Sequence, residues 1–231
     1  MHIGAHESAA GGPYRAVERA EDDDCESLQL FTKNNNRWEQ RMWNEEEATE
    51  FRESYEESAL DGLMAHSSYL INPCSSTEST VEKSRVALAD ELDRCQLLGI
   101  PYLVLHPGKH TGRGESEGLE VFNEQVNRVY READEDRWSD VTLLYENTAG
   151  QGTALGYSFE HLRDILGGMD DPERDAVNTA APRVHPASRR GAQGSHPAER
   201  RRNPAYPTAI ERAAPRVTPR TGWGFSPTWP R

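Results

Sequence analysis

Up to about residue 172 the chain alternates short apolar runs with amphipathic stretches, the pattern of repeated strand–helix units around a parallel sheet. The first strand is expected over His2 to His6, followed by the turn Ala9-Ala10-Gly11-Gly12 and a helix from about Tyr14. Leu28 to Phe31 reads as the second strand, ending at Thr32-Lys33-Asn34, and Leu63 to His66 as the third. The next helix is the best marked. Ser79-Thr80-Val81-Glu82 has the form of a capping box, Leu88, Leu92 and Cys95 follow at helical spacing, and Gly99 is a natural stop. Pro101 to Leu105 makes a fourth strand leading into His106-Pro107-Gly108. Phe122, Val126, Val129 and Ala133 mark another helical face. Val141 to Tyr145 makes a fifth strand leading into Glu146-Asn147-Thr148, and Phe159 to Leu166 a fifth helix.

After Pro172 this grammar stops. No five-residue apolar run follows, nine of the 14 prolines fall after residue 180, and the end is rich in Arg, Trp and Pro. The sequence therefore divides at 172: residues 1–172 form the strand–helix domain, and residues 173–231 a Pro/Arg-rich tail whose composition predicts disorder. Such a tail is either a natural basic segment for a nucleic acid or other partner, or an out-of-frame translation product. The abruptness of the change favours the second.

Charge sharpens the division. Residues 1–174 carry 36 of the 39 acidic and 16 of the 26 basic side chains, a net of −20; residues 175–231 carry 3 and 10, a net of +7. The front part has only Lys33, Lys83 and Lys109 as lysines. Dense carboxylates with so little lysine fit a halophilic surface, hydrated at high internal salt. The same charge repels phosphates at low salt, so a nucleic-acid reading needs a local positive site such as a bound metal. Nothing predicts a membrane protein. The longest apolar run, Leu97 to Leu105, is broken by Gly99 and Pro101 and falls short of the roughly 20 residues of a span. The start has neither the basic residues nor the apolar core of a signal peptide. Three widely spaced cysteines (Cys25, Cys74, Cys95) read as reduced thiols in a cytoplasmic protein.

In an α/β barrel the C-terminal strand ends form the active face. That face receives His66, His106 and Glu146 from the third, fourth and fifth strands. Two imidazoles and a carboxylate suit zinc, and on adjacent strands they can converge on one ion. Spacing alone leaves open the plainer reading of hydrogen-bonded strand-end residues, just as it leaves Tyr69 and Leu70 open to simple loop packing.

Five local sequences then appear in order: Ile3-Gly4-Ala5-His6 with Ser8-Ala9-Ala10-Gly11-Gly12; Phe31-Thr32-Lys33-Asn34; His66-Ser67-Ser68-Tyr69-Leu70-Ile71-Asn72; His106-Pro107-Gly108; and Glu146-Asn147-Thr148-Ala149-Gly150-Gln151-Gly152. Together they closely resemble endonuclease IV, the second family of apurinic/apyrimidinic (AP) endonucleases, over residues 2 to 172. The resemblance implies a TIM (β/α)8-type barrel, truncated here after about five βα units. It also implies up to three zinc ions and hydrolysis, in base-excision repair, of the phosphodiester 5′ to abasic sites in double-stranded DNA. By that resemblance His66 and His106 bind one zinc, and Glu146, the catalytic carboxylate, bridges it to a second. Tyr69 and Leu70 match residues that wedge into the DNA where the abasic nucleotide is flipped out. Arg37 takes a DNA-entering role with a one-place shift of register. A sixth strand ending in Asp-x-x-His is expected near residue 180, but Asn178-Thr179-Ala180-Ala181 stands there. His185 and His196 are read as solvated.

The resemblance therefore predicts a monomeric zinc nuclease by descent, inactive or impaired because the later ligands are missing. Two other readings are a metal-dependent sugar isomerase or epimerase of the related barrel type, and a non-catalytic nucleic-acid-binding protein using its Arg-rich tail.

Overall fold

The structure, a computed structural model, describes residues 2–178. Six strands alternate with five helices: β1 (Gly4–Glu7), α1 (Tyr14–Asp22), β2 (Ser27–Leu30), α2 (Glu45–Glu57), β3 (Leu63–His66), α3 (Glu78–Leu98), β4 (Tyr102–Leu105), α4 (Glu115–Arg131), β5 (Thr142–Glu146), α5 (Phe159–Gly167) and, after a 3-10 turn at Pro172–Arg174, β6 (Asp175–Asn178). The strands pair in parallel and in sequence order, β1 to β6. This is the wall of a TIM-type barrel, built from the strand–helix repeats that the apolar pattern predicts.

Because successive strand residues face opposite ways, each strand serves two layers. One set, with Leu28, Leu30, Leu63, Ala65, Leu103, Leu105, Leu143 and Tyr145, packs against the helices. Those helices present matching stripes, among them Ala16 and Val17 of α1, Leu88 and Leu92 of α3, Phe122 and Val126 of α4, and Leu162 and Ile165 of α5. The other set forms a smaller inner cluster of Met64, Val104 and Leu144, flanked by Tyr102 and Ala176. Each fully buried Leu or Phe contributes roughly 1.5–3 kcal/mol by leaving water, so the helix-side layer dominates stability.

The helices begin and end for identifiable reasons. Asn44 caps α2: its side chain accepts from the Glu47 N–H while the Glu47 carboxylate accepts from the Asn44 N–H. Gly99 ends α3 in the left-handed region at φ 70°, letting the Ile100 N–H reach the Cys95 carbonyl at 2.9 Å.

Three expectations need correction. The capping box at Ser79–Glu82 does not form, because α3 starts earlier, after Thr77, and its first turn has no side-chain cap. Glu82 instead pairs with Arg85. The strand pattern also missed α2, which buries only Ala48 and Phe51 and so lacks a long apolar stripe. Finally, the boundary at 172 falls too early. Asp175-Ala176-Val177-Asn178 adds a strand to β5, from Leu143↔Asp175 to Glu146↔Asn178. Its polar ends hide it from an apolar-run criterion, while Ala176 and Val177 pack on the two layers. The readings placed on residues 179–231, including the disordered tail and the solvated His185 and His196, lie outside the described residues. Among those described, no helix is long and apolar enough to cross a membrane.

Candidate metal centre

Alternation along the strands decides which strand-end residues can meet. Met64, Val104, Leu144 and Ala176 point to the inner layer, so the residues two places on, His66, His106, Glu146 and Asn178, point the same way at the C-terminal edge. Three of them converge. The Glu146 carboxylate (Oε2) lies 2.8 Å from His106 Nε2 and 3.3 Å from His66 Nε2. The candidate ligand atoms of all three residues lie within 4.8 Å of one another.

The imidazoles are oriented differently. His66 is buried, and its Nδ1–H donates to the Ser67 carbonyl at 2.8 Å. That bond turns Nε2 toward Glu146, the orientation a metal-binding histidine requires. His106 meets the His66 ring edge-on, with centroids 4.9 Å apart, and its side chain is 41% exposed. The centre is thus walled on one side and open on the other. Burial alone would raise the Glu146 carboxyl; hydrogen bonds from His106 and His66 and their charge outweigh it and hold the group at about 2. A carboxylate kept ionised beside two nitrogen donors matches the donor set of zinc, and three protein ligands leave a further coordination position open.

Tyr69, 61% exposed, stands over this centre, with ring centroids 5.3 Å from His66 and 6.0 Å from His106. Leu70 follows it, half-buried on the same loop. Arg37 lies on the exposed loop after β2, and its guanidinium has no partner among the described residues. It is not part of the metal cluster.

Three residues given no role from sequence belong to the site. Phe31, one place past β2, packs against His6 at 4.2 Å, Tyr69 at 5.5 Å and His66 at 5.6 Å, and so joins the candidate ligand His66 to the exposed tyrosine. An aromatic residue at a strand end, on the inner-facing parity, was the available signal. His6 donates to the Gln29 side chain at 3.0 Å, and its Nε2 has no hydrogen-bond partner among the described residues. Burial pushes its ring down in pKa against that hydrogen bond, and His66 nearby adds to the effect. Asn178 is the third. It is the register partner of Glu146, 6% exposed, and its side-chain NH2 has no hydrogen-bond partner among the described residues.

Comparison with known proteins agrees with this fold. The family model described as xylose isomerase-like TIM barrel matches residues 17–177. A protein of Geobacter sp. (strain M21) named "Probable endonuclease 4" is 39% identical over 175 residues, covering 76% of this chain and 61% of that protein. Its namesake in Chloroflexus aurantiacus (strain J-10-fl) is 44% identical over 164 residues, covering 71% and 56%. Among solved structures, endonuclease IV from Thermus thermophilus superposes with a TM-score of 0.64 at 33% identity, over 78% of this chain and 61% of that one. A D-tagatose 3-epimerase-like protein reaches a TM-score of 0.58 at 15% identity, over 77% and 64%, a likeness of fold alone. The chain thus spans about three-fifths of the length of the curated relatives it matches.

Proposed function

The chain belongs to the xylose isomerase-like TIM-barrel family, on its endonuclease IV side, and from that premise we propose that its strand-end centre is a zinc site for phosphodiester chemistry at abasic sites in DNA. The observation that carries this reading is the convergence of His66, His106 and Glu146 beneath an exposed Tyr69. His66 and His106 would hold one zinc through Nε2, and Glu146 would join them through its carboxylate. When bound, zinc supplies Lewis acidity, activating a water and neutralising charge on phosphate oxygens. The protein's own residues supply the rest. The imidazole N–H groups hold Glu146 ionised, so the protons displaced on loading would come from Nε2 of the histidines. Ser67 fixes the tautomer of His66. Tyr69 and Leu70 would fill the gap left where a nucleotide without a base swings out, the case in which flipping costs least. Arg37 would reach the DNA backbone from the neighbouring loop.

The proposal includes a limit. At the end of β6 the residue in register with Glu146 is Asn178, a neutral amide where a second carboxylate would complete a bridged metal pair. On this reading the chain loads its first zinc and recognises abasic duplexes, but cleaves them weakly or not at all. The test is incubation of the full chain, with and without zinc, with a duplex carrying one abasic site. Zinc-dependent binding with little nicking is expected. Vigorous nicking abolished by His106→Ala would overturn the inactivity. Turnover of a ketose sugar with no affinity for abasic DNA would overturn the nuclease reading in favour of an epimerase-like one. These assays belong in high as well as low salt, because the proposed halophilic surface bears a net −20 over residues 1–174 and repels DNA unless screened.

A further inference from the structure

Helix α3 has buried charges on the side that faces the loops after β2 and β3. Glu91 is 1% exposed and Arg94 fully buried. Glu91 accepts a hydrogen bond on each carboxylate oxygen: from the Thr32 hydroxyl at 2.6 Å, at the start of the loop after β2, and from the Ser68 N–H at 3.1 Å, in the loop after β3. Lys33, its side chain also buried, contacts Asp90 at 2.6 Å and Glu91 at 3.8 Å and donates to the Trp38 carbonyl. Arg94 bonds Asp90 and donates to the Gln40 carbonyl at 2.7 Å. A cross-tie, from the Ser68 hydroxyl to the Asn35 carbonyl at 2.8 Å, joins the two loops directly.

These ties do not serve cheap stability. Burial pushes the Glu91 carboxyl up in pKa in spite of Lys33, Thr32 and Ser68. Buried ion pairs in general add little over well-packed apolar side chains. What this cluster does is geometric: its hydrogen bonds from α3 end on the two loops that carry Arg37 on one side and Tyr69 and Leu70 on the other. We infer that Glu91 is a positioning residue, which through Thr32 and Ser68 locks the loop bearing Arg37 and the loop bearing Tyr69 and Leu70 into one rigid jaw over the strand-end site. What the jaw grips rests on the DNA reading above; the locking does not.

Glu91→Gln tests it, since an amide offers one acceptor oxygen where the carboxylate offers two, and Lys33 loses a counter-charge. Two readouts are needed on the full zinc-loaded chain, at a temperature where each variant is folded by near-ultraviolet circular dichroism. Amide hydrogen exchange should quicken about tenfold in residues 33–40 and 68–70 together, with β4 and β5 unchanged. The preference for an abasic over an intact duplex should fall about tenfold, while zinc affinity stays within about twofold. Thr32→Val, which deletes one tie and keeps every charge paired, serves if Glu91→Gln does not fold; it should loosen residues 33–40 and lower the preference in the same direction. Loosening of neither loop, or of residues 68–70 alone, would overturn the inference, as would an unchanged preference alongside loosened loops. If the wild-type chain shows no abasic preference, the DNA reading fails, and exchange in the two loops alone decides the positioning role.

Discussion

Two carboxylates on neighbouring strands, one half-buried and one buried, behave in opposite ways. Glu146, at the end of β5, faces two imidazoles and is held ionised, near 2. Asp175, at the start of β6, faces the helix layer; there burial outweighs the hydrogen bond from the Tyr145 hydroxyl at 2.5 Å and raises it to about 6. One inner and one outer position of the same sheet thus give a carboxylate held ionised and a carboxyl that keeps its proton to a higher pH than usual. Partial or full burial is common to both. What differs is whether nitrogen donors or phenols are the neighbours.

The largest way to break the comparison is to remove a nitrogen. His106→Ala deletes the nearer of the two donors to Glu146 and one of three candidate ligands. Zinc affinity should fall by at least about 100-fold, more than the loss expected from disturbing an outer-sphere partner, as read by competition with a chromogenic chelator. The helix-side core is untouched, so the unfolding temperature of the metal-free chain should fall only by the share that the hydrogen bond to Glu146 contributes. An unchanged zinc affinity would remove His106 from the site.

Asp175 gives the next effect, visible as pH dependence. Its folded-state pKa, about 6, lies above the ordinary 3.8, so the folded chain binds more protons than the unfolded chain between those values. Its contribution is therefore fully present below about pH 4 and is lost as pH rises through 6. Glu146 has the opposite sign: its contribution is present above the ordinary 4.5 and is lost as pH falls toward 2. Asp175→Asn keeps an acceptor for Tyr145 and removes the titration. It should raise stability at pH 7.5 by on the order of 2 kcal/mol and flatten the profile between pH 4 and 6.5. Urea unfolding across that range measures both. A wild-type profile that rises between pH 4 and 6.5, with the same rise in Asp175→Asn, would show that Asp175 is not buried in its neutral form.

The two carboxylates also show what the sequence could and could not say. Glu146 was legible because it ends a run of apolar residues, Val141 to Tyr145, and sits two strands on from His66 by the same logic. Leu63 to His66 matched β3 residue for residue, for the same reason. Asp175 was not legible. Its strand is four residues long, begins and ends in polar side chains, and is recognisable only by its pairing to β5. Phe31 and Glu91 were missed differently. Each looks ordinary in one dimension, an aromatic after a strand and one acid among many on an acidic helix. Only the approach of the loops after β2 and β3 gives them their partners.

The smallest effect sharpens the comparison from the other side, by making β6 resemble β5. Asn178 is buried beside Glu146 in register, and its amide nitrogen has no hydrogen-bond partner among the described residues. Asn178→Asp replaces that unmatched donor with a second carboxylate on the inner face. Without metal the new charge has Glu146 for a neighbour, and like charges at short range raise each other's pKa and lower stability. With metal the same pair becomes an asset, because a divalent cation is attracted to both. The variant should therefore be less stable than wild type in chelator yet bind zinc about tenfold more tightly, the worth of roughly one charge-assisted contact. The stabilisation produced by zinc should grow accordingly. Calorimetric titration with zinc and thermal unfolding with and without chelator check the two halves separately. A variant destabilised in chelator with no gain in zinc affinity would mean that the Asn178 side chain does not reach the centre, and the proposed limit on catalysis would then have to lie elsewhere than at the end of β6.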